Sequence, residues 1–487
     1  MSLSSHCPVR LWAQKGPEQL ALLFEGKRWT YQQLDWEVGN LCEKLVRTGL
    51  KAGDRIALLT PNRVECVFLF HAVARLDLTL VPLNSRLTPA ELKALIERVR
   101  PALTLADQSL QGHLDASISL DRLGQLDRLD RVDPNEARVE VPADRGNQVS
   151  GSAKPQVILF SSGTTGTPKA VMLTRENFSE SARASGKNLG FESSQRWVAC
   201  LPLFHVGGLA MVARSAWYGA ALILHRGFDE ARVNDSIERE GATHLSLVEA
   251  TLRRLIEARR SSFPTHLKAI LVGGGPVDSK WVDQARSMAA PVLLTYGLTE
   301  ACSQVTTERL KDADGRSAGP PLDGIAARIS SQGEIEVKGP TVMAGYFDDS
   351  SATQRAVNQG WLQTGDLGGL DQHGRLQIKA RRSDLIISGG ENIYPAEIER
   401  TLSDYPGVVE VAVGSLEDSR WGQVPVAVIA GLGKAGQAKP LTDWARGRMA
   451  DFKVPKRWAF VDALPRDSLG KVNREKLKAI ILEGGTA

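Results

Sequence analysis

Through about residue 110, apolar and polar positions follow two alternating periods, helical and strand-like. Thr30, with Gln33 three residues later, predicts a capped helix start; Leu34, Val38, Leu41 and Leu45 then form one apolar face before Gly49 ends the helix. Arg55-Ile56-Ala57-Leu58-Leu59-Thr60 reads as a buried strand that stops at Pro61-Asn62. The helical period returns from Val64 to Arg75, Leu78 to Pro82 reads as strand, and Thr88-Pro89-Ala90-Glu91 opens another helix with proline at its first position. This alternation predicts an α/β layer around a mainly parallel sheet. From about Gln108 to Lys154 the periodicity weakens into Asp- and Arg-rich sequence, read as a variable connection.

Further on, Ala269-Ile270-Leu271-Val272 runs into Gly273-Gly274-Gly275-Pro276, and Val292-Leu293-Leu294-Thr295 into Tyr296-Gly297-Leu298-Thr299-Glu300. Open α/β sheets place ligands at such strand ends. Beyond Gly315 the pattern changes to short strands and glycine turns, as at 334–339 and 375–379. A small α+β unit follows residue 383, with a helix from about Pro395 to Leu402 and strands near Val408–Val413 and Val424–Ile429. The expected division is an N-terminal domain, 1–382, and a C-terminal domain, 383–487.

Composition narrows the function classes. A chain of 487 residues is too long for one core. With 42% apolar and 24% charged residues it has ordinary globular composition. A net charge of +4, from 60 basic and 56 acidic residues, gives no argument for nucleic acid or a membrane as partner. Cys7, Cys42, Cys66, Cys200 and Cys302 are scattered without a Cys-x-x-Cys pair, which reads as reduced thiols, not a disulfide frame or zinc site. The first residues lack a basic stretch followed by an apolar one, so no signal peptide is expected, and no apolar run approaches the ~18 residues of a spanning helix. A soluble, cytoplasmic protein is the expectation, with a homodimer as one candidate assembly.

The densest candidate chemistry is Ser161-Ser162-Gly163-Thr164-Thr165-Gly166-Thr167-Pro168-Lys169, directly after Val157-Ile158-Leu159-Phe160. Small residues let backbone N–H groups approach phosphate oxygens closely, hydroxyls add donors, and Lys169 adds positive charge. The spacing is not that of a Walker loop, because Pro168 precedes the lysine. A flexible surface turn is the alternative.

The loop resembles the phosphate-binding signature of the adenylate-forming enzymes: acyl-CoA synthetases, luciferases and peptide-synthetase adenylation domains. Four more segments follow in that family's order. They are Tyr296–Glu300, Thr364-Gly365-Asp366, the run from Arg381 to Ile393, and Gly470-Lys471 within Pro465–Arg474. The resemblance implies a large α/β domain with mainly parallel sheets and a small β-barrel-like subdomain, followed by a small mobile α+β domain. It implies ATP, Mg²⁺ and CoA as cofactors and co-substrates. Ser161, Ser162, Gly163, Thr164, Thr165, Gly166, Thr167 and Lys169 would then grip phosphates, with Thr165 and Glu300 on Mg²⁺. Gly274, Gly275, Pro276, Tyr296, Gly297 and Thr299 would complete the nucleotide site, and Asp366 and Arg381 would hold the ribose. Lys471 would serve adenylation, and Ser388, Gly389 and Gly390 the pantetheine path. The hinge position, most often Asp or Lys in the family, falls on Ser383, beside Asp384.

Pro202-Leu203-Phe204-His205-Val206-Gly207-Gly208 is similar to the family's acyl-pocket segment, with His205 between the acid and thiol sites. Taken alone, a histidine in an apolar run is more often a satisfied core residue; the resemblance reverses that reading and implies a gate at His205. Nine residues on, Arg214 interrupts an apolar run before Ser215. On a helix this places it two and a half turns in, and a buried arginine needs an anion: a second substrate carboxylate or a protein acid. With the Ser388–Pro395 junction, the set resembles the o-succinylbenzoate–CoA ligases within the family, whose small carboxylic acid substrate carries two carboxylates. A medium-chain or aryl acyl-CoA synthetase, a luciferase-like monooxygenase and a non-catalytic acyl-adenylate binder are the alternatives.

Overall fold

The computed structural model describes residues 7–87, 89–114, 117–120, 154–161, 168–275, 277–381, 386–388, 391–393, 395–418, 421–432, 438–449, 451–467 and 472–484. Its contacts divide into two compact units. The first comprises Met1–Arg328, Glu336–Thr364 and Leu370–Gln377, the second Ile329–Ile335, Gly365–Gly369 and Ile378–Ala487.

Two large sheets frame the first unit. The eight-stranded sheet runs in the order Ser303–Thr307, Val292–Leu298, Ala269–Val272, His244–Leu247, Arg196–Ala199, Ala221–Leu224, Leu20–Phe24 and Lys27–Thr30. Its six central strands are parallel and its two edge strands antiparallel. Parallel strands are covered on both faces, which is why Ala269–Val272 and Ala221–Leu224 are unbroken apolar runs, buried at every position. The seven-stranded sheet has the order Gly345–Tyr346, Lys169–Thr174, Pro155–Ser161, Thr79–Leu83, Arg55–Leu59, Leu103–Ala106 and Ile118–Ser119. The capping box forms as expected: Thr30 Oγ1 accepts from Gln33 N at 3.3 Å, and Gln33 Oε1 from Thr30 N at 2.9 Å, at the start of helix Tyr31–Arg47.

One sequence expectation changes, and the barrel-like subdomain takes a definite form. The connection after Gln108 is not wholly irregular: a 3₁₀ turn, Gln108–His113, leads to strand Ile118–Ser119, which joins the sheet in parallel beside Leu103–Ala106. A two-residue strand is too short for alternation to announce it. The short strands beyond Gly315 form a sheet in the order Ala326–Ile329, Glu334–Lys338, Trp361–Leu370 and Val357–Asn358, with Leu376–Arg381 also on Trp361–Leu370. Among the described residues this array is open and not a closed barrel. Its edge strand Val357–Asn358 ends in a tight turn through Gln359 and Gly360, both at positive φ, and is too short to close a ring.

The second unit has a sheet of its own, ordered Glu391–Ile393, Ile386–Ser388, Gly422–Ala430 and Glu410–Asp418, with Arg457–Val461 parallel to Gly422–Ala430. Alternate residues of the central strand feed two cores. Ala427 and Ile429 pack with Ile398, Leu402 and Trp458, whereas Val426 and Val428 pack with Leu477 and Ile481. Among the described residues no helix is long and apolar enough to cross a membrane.

Candidate active site

Strands Pro155–Ser161 and Lys169–Thr174 form an antiparallel hairpin in which Ser161 and Lys169 are directly paired. The candidate phosphate residues Ser162, Gly163, Thr164, Thr165, Gly166 and Thr167 connect them and lie outside the described residues. Strand Val292–Leu298 ends in a single 3₁₀ turn, Thr299–Ala301, that presents Glu300. Glu300 Oε1 accepts from Ser161 Oγ at 3.1 Å and from Tyr346 Oη at 3.2 Å. Lys169 Nζ lies 4.9 Å from the centroid of the Tyr346 ring. One carboxylate at the end of the first large sheet is therefore held by two hydroxyls from the second. Burial, and then the Glu300 carboxylate, push the Tyr346 phenol well above its ordinary range, so it stays a donor. Sequence reasoning missed Tyr346, because its two-residue strand, Gly345–Tyr346, carries no periodic signal.

Gly297 is required by close approach: a Cβ there would lie 1.7 Å from the carbonyl oxygen of Ser303. Gly297→Ala should push the edge strand off its neighbour and displace Glu300 three residues on. The expected result is a loss of about 1–3 kcal/mol or more in chemical denaturation. Unchanged denaturation would contradict the packing. Gly274 adopts φ +79°, and the turn it opens with Gly275 is anchored where Glu249 Oε2 accepts from Asp278 N at 2.6 Å. Pro276 lies outside the described residues.

His205 caps helix Val206–Tyr218, and its ring meets Phe204 edge-on at 4.5 Å. A Cβ on Gly208 would come within 2.3 Å of the Pro202 carbonyl oxygen, which explains the small residue in this first turn. Arg214 is deep in the helix, 2% exposed. Its Nη2 reaches Ser303 Oγ only at a long 3.5 Å, its Nε is buried without an acceptor, and its guanidinium carbon lies 5.9 Å from the Trp197 ring centroid. No carboxylate among the described residues pairs with it. Burial lowers its pKa from the ordinary arginine value, with Tyr218 and Cys302 opposing that shift. Guanidinium nevertheless keeps its proton in proteins, so a buried cation stands here without an anion among the described residues. The hydroxyl of the neighbouring Ser215 donates to Val212 O within the same helix at 3.1 Å, which leaves its lone pairs free to accept.

The remaining candidates belong to the second unit. Asp366 is buried in strand Trp361–Leu370, next to Gly365, which sits at φ +75° and donates to Glu334 Oε1 at 2.9 Å. Arg381 ends strand Leu376–Arg381. Ser388 is buried and pairs with Glu391, so Gly389 and Gly390 make up the whole connection between their strands. Those two glycines, Ser383 and Lys471 lie outside the described residues. The chain on either side of Lys471 is closed by a bridge between Arg466 and Val472 and by Asn473 N donating to Pro465 O at 2.8 Å.

Residues 9–347 match the AMP-binding enzyme family, and residues 397–471 match the AMP-binding enzyme C-terminal domain. The chain is 38% identical over 482 residues to the 2-succinylbenzoate–CoA ligase of Bacillus subtilis (strain 168), covering 96% of each chain. Among solved structures it is similar to o-succinylbenzoate CoA synthetase from Bacillus subtilis in complex with the acyl-adenylate intermediate OSB-AMP, at 35% identity, 99% coverage of both chains and a TM-score of 0.88. The same synthetase in complex with ATP and magnesium ion gives a TM-score of 0.85 at 35% identity, covering 97% of this chain and 99% of that one. A phosphate-type loop, a carboxylate held between two sheets and full-length similarity all agree: this chain belongs to the AMP-binding enzyme family.

Proposed function

We propose that this chain is an AMP-forming o-succinylbenzoate–CoA ligase working in the cytoplasm. The observation that carries the choice of acid is Arg214, a buried guanidinium with no carboxylate partner among the described residues. A substrate with two carboxylates can present one to the nucleotide and the other to Arg214.

In the first step an oxygen of the aliphatic carboxylate attacks the α-phosphorus of ATP. The bond to the β-phosphate oxygen breaks, pyrophosphate leaves, and the acyl-adenylate remains. In the second step the CoA sulfur, having given up its proton, attacks the acyl carbonyl carbon and AMP departs. Catalysis of the first step is positioning and charge compensation around an in-line phosphoryl centre. Lys169 and Lys471 supply fixed positive charge for the phosphates, and Asp366 and Arg381 hold the ribose. His205 stands between the acid and the thiol.

Glu300 fits Mg²⁺, which proteins hold through one or two carboxylates together with substrate phosphates. When bound, Mg²⁺ neutralises phosphate charge; Glu300, with Thr165, is the protein's contribution to holding it. The Gly389-Gly390 connection leaves room for the pantetheine arm because neither residue has a side chain. Gly390→Leu should therefore retain pyrophosphate exchange and lose CoA ester formation. Undiminished thioesterification would remove this connection from the thiol path.

Incubating the protein with o-succinylbenzoate, ATP and MgCl₂ tests the proposal. Acid-dependent pyrophosphate exchange is expected without CoA, and thioester with AMP after CoA is added. Exchange followed by oxygen consumption, or adenylate binding without turnover, would replace it.

A further inference from the structure

We infer that Tyr346 biases the metal chosen at Glu300 toward Mg²⁺ by keeping one carboxylate oxygen out of coordination. This rests on the reading of Glu300 as the Mg²⁺ ligand. Oε1 of Glu300 already accepts two hydrogen bonds, from Ser161 Oγ at 3.1 Å and Tyr346 Oη at 3.2 Å. Its lone pairs are directed at those protons. Oε2 makes no hydrogen bond among the described residues and is the oxygen left for a cation.

A carboxylate restricted to one oxygen binds in a monodentate manner. That suits Mg²⁺, which takes six single oxygens at roughly 2.0–2.1 Å, several of them water or phosphate. It handicaps Ca²⁺, which takes about 6–8 oxygens and gains from bidentate carboxylates. Of the two hydroxyls, Tyr346 is the more rigid donor. The residue is 6% exposed, its strand pairs with Val171, and its N–H donates to Thr353 Oγ1 at 2.8 Å. Neighbouring backbone bonds, Ala344 N to Met172 O at 3.0 Å and Phe347 N to Ala170 O at 2.8 Å, fix the ring's height above the hairpin. The face of the same ring supports Lys169 Nζ, so one side chain places both the metal carboxylate and a phosphate-directed cation. Tyr346 is a positioning residue in this scheme, acting through Glu300 and Lys169.

Calorimetric titration of the whole protein with α,β-methylene-ATP, which has no cleavable bond between its α- and β-phosphates, tests the inference in MgCl₂ or CaCl₂. Tyr346→Phe keeps the ring under Lys169 and removes only the hydroxyl. Loss of a hydrogen bond that orients a metal ligand typically costs about 10–100-fold in metal affinity. The Mg²⁺ dependence of nucleotide binding is expected to weaken by that factor, the preference for Mg²⁺ over Ca²⁺ to shrink, and AMP binding without metal to stay unchanged. Ser161→Ala, which removes the other donor, should shrink the preference in the same direction, and reports if the Tyr346 variant folds poorly. Glu300→Gln separates the two levels of the argument. If it abolishes metal dependence while Tyr346→Phe and Ser161→Ala leave the preference intact, the inference is overturned and the Glu300 reading stands. If metal dependence survives in Glu300→Gln, both fall.

Discussion

Lys471→Ala is expected to cut the rate of adenylate formation by about 10²–10³-fold, the usual consequence of removing one preorganised charge-stabilising group from a transition state. Thioester formation from supplied acyl-adenylate should change far less. The contrast follows from when charge develops. In the first step negative charge spreads over the phosphates as pyrophosphate leaves, and a fixed ammonium is worth most there. In the second step the phosphoryl centre is already formed and the departing group is AMP. The lysine sits in Gly470-Lys471, in a segment whose two ends are pinned by the Arg466–Val472 bridge and the Asn473–Pro465 hydrogen bond. A chemical-denaturation midpoint equal to that of the unmodified protein separates the effect from a folding defect. Pyrophosphate exchange and single-turnover thioesterification, measured side by side, give the two rates. Equal losses in both half-reactions would contradict a role confined to the phosphate step.

Arg214→Ala should lower kcat/KM for o-succinylbenzoate by about two to three decades, because a desolvated charge pair that loses one partner costs about 2–5 kcal/mol. The cost falls on binding and on orientation of the distal carboxylate. An acid lacking the aromatic carboxylate has no anion for Arg214, so the same substitution should affect it much less. That difference of differences isolates the arginine–carboxylate contact from general damage to helix Val206–Tyr218. Arg214→Lys should recover only part of the loss, since an ammonium cannot reproduce the two parallel hydrogen bonds of a guanidinium.

Much of this architecture was legible in the chain. The capping box at Thr30, the apolar face through Leu45 and the fully apolar run Ala269–Val272 are local signals, and each formed as its pattern required. The depth of Arg214 followed from helical arithmetic once the helix implied by the resemblance was granted, nine residues after the histidine at its N-cap position. What could not be read were relations made by pairing distant segments. Tyr346 meets Glu300 because strand Gly345–Tyr346 lies against Lys169–Thr174, and nothing in its spacing points there. Ser303 approaches both Gly297 and Arg214 through an antiparallel edge strand entered at positive φ by Cys302 and Ser303, a conformation that neither side chain favours. Such outcomes depend on tertiary geometry, which composition and period do not encode.

The most direct test of the substrate assignment uses the unmodified protein and two acids that differ in one group: o-succinylbenzoate and 4-oxo-4-phenylbutanoate, which lacks the aromatic carboxylate. Both offer the same aliphatic carboxylate to ATP. Steady-state formation of CoA thioester, with AMP released, should favour o-succinylbenzoate in kcat/KM by about two decades or more, the worth of a buried charge-assisted pair. Equal kcat/KM for the two acids would contradict the assignment and make Arg214 a structural residue in a monocarboxylate–CoA ligase.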